Sequence, residues 1–121
     1  MTTPKVRVRR VYDDPTSEDG VRVLVDRIWP RGLRKDAAEL DEWAKDIAPS
    51  AELRKWFGHD PAKFDRFRDR YRKELTTEPG RAAVARLREL GRGTMLTLLT
   101  ATKDVAHSHA AVLAELLRAP E

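Results

Sequence analysis

The chain has 121 residues, 36% of them charged, a net charge of +4, and 17 arginines among its 24 basic residues. That length fits one domain around one core. The acids interspersed among the bases leave a modest preference for anions rather than a dedicated nucleic-acid surface. Cys, Asn and Gln are all absent, which excludes disulfides, thiolate metal sites, cysteine nucleophiles and any side-chain amide in an oxyanion site. The longest apolar run is far short of a membrane span, and the N-terminus lacks the apolar core of a signal peptide. A cytoplasmic location with no membrane partner is therefore expected.

Residues 5–11 alternate valine with basic side chains, the pattern of a strand with one solvated or edge face. The segment YDDPTSEDG has turn chemistry. VRVLVD, at 21–26, is a β-branched second strand. A short helix is expected over 35–40, and LDEWAKDIAPS alternates loosely enough for a third strand ending near Asp46. Ser50 then opens a helix, SAELRKWFG, with a hydroxyl cap, Glu52 in the first turn and Gly58 as its stop.

Asp60-Pro61 restarts the chain as a further helix. On it Phe64, Phe67, Tyr71 and Leu75 make a buried stripe, and RFRDRYRK supplies the solvated face. A helix over 80–90 turns Val84 and Leu87 inward and stops at Gly91. MLTLLT, at 95–100, is apolar on both pleat faces, as a central strand with helices on either side should be. A last helix over 105–118 turns Ala106, Ala110, Leu113 and Leu117 inward. This order predicts an α/β fold: a small three-layer sandwich with a largely parallel sheet flanked by helices, in one domain over 1–121.

Ligands of open α/β sheets bind beyond the carboxyl ends of the strands. Three segments meet that description: VDRIWPRG at 25–32, KDIAPS at 45–50 and ATKDVAHSH at 101–109. They nominate Arg27, Arg31, Lys45, Ser50 and Lys103 as ligand-binding residues for an anion. Asp26 is a general base, a metal ligand or the partner that fixes Arg27. His59 is an acid/base group or a cap on the preceding helix. Asp26 and His59 are thus the catalytic candidates, and Asp26, Arg31, His59 and Lys103 are the residues expected to share a pocket. Trp29-Pro30 reads as a core edge, and Asp104 as the cap of the last helix. His107 and His109 point apart on a helix, so no metal site is assigned. GxSxG, GxGxxG, GxxxxGK and HExxH patterns are all missing.

The segments GVRVLVDRIWPRGL, LDEWAKDIAPSAELRKWFGHDPAKFDRFRDRY and LTLLTATKD resemble, in order, the YeaO-like branch of a bacterial domain-of-unknown-function family. Asp26, Arg27, Trp29, Pro30, Arg31, Gly32, Trp43, Lys45, Pro49, Ser50, Trp56, Gly58 and His59 match its pattern. The resemblance implies an α/β fold and a small intracellular protein, and it brings no reaction or cofactor. Longer relatives carry cysteine and histidine near the segment matching 101–109. Thr102 stands here without any cysteine, so thiol and zinc chemistry do not transfer. YeaO-like chains usually have asparagine near the start of the last helix, where this chain has histidines.

Two functional readings follow. The first is a domain that binds or acts on a phosphorylated or carboxylated small molecule at the strand carboxyl edge; turnover, cofactor and oligomeric state stay open. The second is a nucleic-acid or protein interaction module using the basic helix at 61–75. There Arg66, Arg70 and Lys73 share one side and Arg68 and Arg72 another, interrupted by Asp65, Asp69 and Glu74.

Overall fold

The computed structural model describes residues 5–119, so the first four and last two residues of the expected domain lie outside it. Its strands are β1 (Lys5–Arg10), β2 (Val21–Leu24), β3 (Glu42–Trp43) and β4 (Met95–Thr100). They form one sheet in the order β1-β4-β2-β3, and every pairing is parallel. The helices are α1 (Lys35–Ala38), α2 (Ala51–Phe57), α3 (Phe64–Glu74), α4 (Gly80–Leu90) and α5 (His109–Arg118). The result is a small α/β sandwich. Among the described residues, no helix is long and apolar enough to cross a membrane.

Parallel pairing forces the chain to return over the sheet between strands, so both faces are covered. On β4, Leu96 and Leu98 join Val6, Val23 and Val25 in the larger core beneath the helices. Leu99 points the other way, to Val11, Leu24, Trp29 and Trp43. Four longer helices cover the first face. The second is covered by loops and the single turn of α1, whose Ala38 is buried and accepts a hydrogen bond from Arg22.

Local chemistry sets several boundaries where the sequence placed them. Ser50 accepts the Leu53 amide, and Gly58 closes α2 with φ +54°. Asp60 accepts the Ala62 amide ahead of a 3₁₀ turn at Pro61–Lys63 that leads into α3. Phe64, Phe67, Tyr71 and Leu75 are all buried, with Phe67 stacked 4.3 Å from Phe57.

Other expectations are corrected. The third strand is two residues long, because a 3₁₀ turn at Lys45–Ile47 swings Ile47 into the larger core, where its carbonyl accepts the Tyr71 hydroxyl. The last helix starts later than expected. Ser108 is extended and caps α5 by accepting the Ala111 amide, so Val105–His107 is a separate 3₁₀ turn and Ala106 is exposed. Asp104 consequently caps nothing with its side chain and binds His107 instead, 2.8 Å away.

The valine–arginine alternation of β1 does place one side outside the larger core, but its arginines are not simply solvated. Arg7, Arg9 and Arg22 converge on Asp19, which is only 1% exposed. Thr97 donates to the Asp19 carbonyl at 2.7 Å, and Gly20 follows with φ +62°. A Cβ at Gly20 would lie 2.2 Å from the Met95 carbonyl oxygen, so only glycine lets this turn approach β4.

Candidate functional site

Strand β2 ends at Leu24, and the next two residues tie it to three neighbours. The Val25 amide donates to Leu99 at 3.0 Å. The Asp26 carboxylate accepts the Thr100 hydroxyl and the Ala101 amide, each at 2.8 Å, and its backbone carbonyl accepts the Trp43 indole at 2.7 Å. His109, at the start of α5, places Nε2 3.0 Å from the Val25 carbonyl and 3.3 Å from Asp26 Oδ1. A carbonyl only accepts, so Nε2 carries a proton.

Burial by itself would raise the pKa of Asp26. The hydrogen bond and charge of His109, with the Ala101 amide and the Thr100 hydroxyl, outweigh it and hold the carboxyl below its usual range. Such a group is a weak proton acceptor, with both oxygens already occupied. The Asp26–Arg27 pair, one of the three readings of Asp26, is not formed among the described residues; His109 takes that place.

Beside this junction lies a cleft of about 240 Å³, bordered by Asp26, Arg27, Arg54, His59, Thr102 and His109 over an apolar base that includes Phe57. Arg27 is exposed and Arg54 half-buried. Neither guanidinium has a hydrogen-bond or ion-pair partner among the described residues, and the Arg54 Nε is buried without one. His59 adopts φ +56° and does not cap α2; the Gly58 amide fills that role by donating to Arg54. The His59 ring lies 6.2 Å from Phe57.

Asp26, Arg27 and His59 therefore share one cleft, whereas Arg31, Lys45 and Lys103 do not border it. Arg31 is exposed, with its carbonyl accepting the Tyr12 hydroxyl. The Lys45 ammonium sits 4.1 Å from the Trp43 ring centroid. Lys103 is exposed after β4. Ser50 is engaged as a cap and also donates to Glu74 at 2.6 Å, beside a second cleft of about 280 Å³ that Arg27 also borders. The expectation that Asp26, Arg31, His59 and Lys103 share a pocket thus gives way to a smaller group.

Thr102 and His109 border the cleft without having been nominated from the sequence, and so does Arg54. Arg54 lies three positions before Phe57 on α2, a spacing that puts both on one side of the helix. On the basic helix, Arg68 and Arg72 both reach Glu115 on α5, and Arg70 lies 4.8 Å over Trp56. Much of that charge is spent within the domain.

Fold and site together define a small α/β domain with a polar cleft at the carboxyl edge of a four-stranded parallel sheet. The chain belongs to the family described as the inactive DUF488-N3 subclade, whose model matches residues 5–120. It is similar to an uncharacterised protein of Mycobacterium tuberculosis and one of Mycobacterium bovis, each 55% identical over 113 residues and 93% of both chains. It is also similar to the uncharacterised protein YeaO of Escherichia coli, 42% identical over 93% of this chain and 96% of that one. These matches bear out the resemblance read from the sequence. No solved structure matches significantly.

Proposed function

We propose that this domain binds a small phosphorylated or carboxylated molecule in the cleft beside Asp26, and that it does so without chemical turnover. The observation carrying the reading is that Arg27 and Arg54 border one cleft with no partner for either guanidinium among the described residues. A half-buried arginine without a carboxylate is costly to leave unpaired, and a phosphate or carboxylate matches its fork of donors.

Asp26 positions rather than reacts: it holds His109 and the end of β4, and its lowered pKa makes it a poor base. His59, exposed at the border of the cleft, supplies a further hydrogen bond to the ligand. The family's description as inactive agrees with binding in place of catalysis.

Thermal-shift measurements against sugar phosphates, nucleoside monophosphates and dicarboxylates test the reading. A true ligand raises stability with concentration, by about 2.7 kcal/mol at a hundredfold excess over Kd, and Arg54→Ala removes the shift. A flat response to every anion, unchanged in Arg54→Ala, would count decisively against an anion site.

A further inference from the structure

We infer that the cleft takes an aryl anion: one flat apolar ring carrying a single phosphate or carboxylate. This rests on the anion-binding reading above and narrows its ligand class.

The border of the cleft has two kinds of chemistry. Arg27 and Arg54 supply unpaired cationic forks, while Ile28, Pro49, Phe57 and Phe67 supply apolar surface. Phe57 and Phe67 stack at 19° between planes, and their burial leaves little of them in water. Ile28 is different. It is 68% exposed, and the other large exposed hydrophobic among the described residues, Tyr12, has its hydroxyl bonded to the Arg31 carbonyl.

An isolated exposed isoleucine needs no explanation. Here it adjoins an unpaired arginine at the mouth of a cleft, where an apolar group bound through its anion would cover it. A bare phosphate or acetate would satisfy the arginines and leave Ile28 wet. A ring attached to the anion removes that surface from water at the same time.

Size limits the choice further. The cleft, about 240 Å³, falls below the roughly 300–1,000 Å³ typical of drug-sized sites. A single ring with one anionic group suits that space; a dinucleotide does not.

Calorimetric titration of the full chain with phenyl phosphate against inorganic phosphate, and with benzoate against acetate, tests this. Each aryl ligand should bind about tenfold tighter than its bare counterpart, a difference of about 1.4 kcal/mol. Arg54→Ala should abolish binding of all four. Ile28→Ser should erase the aryl preference while leaving phosphate affinity unchanged. Equal affinity for phenyl phosphate and phosphate overturns the aryl assignment but leaves the anion site standing, and so does an Ile28→Ser variant that keeps the full preference. No binding of any of the four to the folded protein overturns the anion site itself.

Discussion

Two carboxylates, one toward each end of the sheet, solve the problem of burial differently. Asp19 gathers three arginines and the Thr16 amide and hydroxyl, and each of those arginines contacts its carboxylate. Asp26 is held by a hydroxyl, a backbone amide and one histidine, so the arginines near it stay free. Both end with a pKa below the usual carboxylate range. In each, burial opposes the lowering: hydrogen bonds from Thr16, Arg22 and Arg7 overcome it at Asp19, and those of His109, Ala101 and Thr100 at Asp26. The difference is in what remains. A cluster whose acid engages every arginine around it is a clamp; one that satisfies its acid with other donors leaves arginines without a carboxylate.

Substitution of the two acids should separate these roles most sharply. Asp19→Ala leaves Arg22, itself 5% exposed, without its carboxylate. A loss of about 3–5 kcal/mol in denaturant unfolding is expected, as for a broken buried pair. The acid limb should change as well. A carboxylate whose folded pKa lies below the unfolded value of about 3.9 contributes fully above that value and loses its contribution as pH falls through the folded pKa. The variant should therefore lose less stability below about pH 4 than the parent does. Equal acid slopes in the two proteins would show that Asp19 is not the group responsible.

A smaller loss is expected from Asp26→Asn, which turns a donor toward the Thr100 hydroxyl or the Ala101 amide. Unfolding should be easier by about 1–3 kcal/mol. Ligand affinity should fall only through displacement of His109, so Arg54→Ala should weaken binding more. If Asp26→Asn proves the more damaging to binding, the positioning role is wrong. The smallest effect belongs to Arg27→Ala, within about 0.5 kcal/mol of the parent in stability, because no partner is lost. A large destabilisation there would mean Arg27 is spent in the fold as Arg22 is, and the contrast between the two ends would collapse.

The parts of this molecule governed by local rules were readable before any coordinates. Ser50 and Gly58 bracket α2, and Met95–Thr100 bounds β4, because a hydroxyl cap, a left-handed glycine and a doubly apolar strand each act over a few residues. Tertiary demands overrode such rules elsewhere. Burial of Ile47 cut β3 short, and the extended backbone at Ser108 re-aimed both neighbouring histidines. Asp19 hid inside a segment that reads as a polar turn, since nothing in YDDPTSEDG announces that Arg7, Arg9 and Arg22 will all meet it. Of the site, Asp26 and Arg27 were legible from a strand end, and His59 from the turn between two helices. Arg54 carries no local signal, being one of several charged residues on a short helix.

The anchoring of residues 25 and 26 has a consequence for the entropy of recognition. Their backbone and side-chain groups are bonded to β3, β4 and α5 at once, so the base of the loop has little freedom left to lose. The next two side chains, Arg27 and Ile28, stand exposed on that fixed base. On this segment, binding would then immobilise two side chains rather than a loop, at about 0.5–1.5 kcal/mol each. On the proposed anion-binding reading, such a site would keep most of its interaction energy as affinity, and the ligand would come and go without any rearrangement of the sheet.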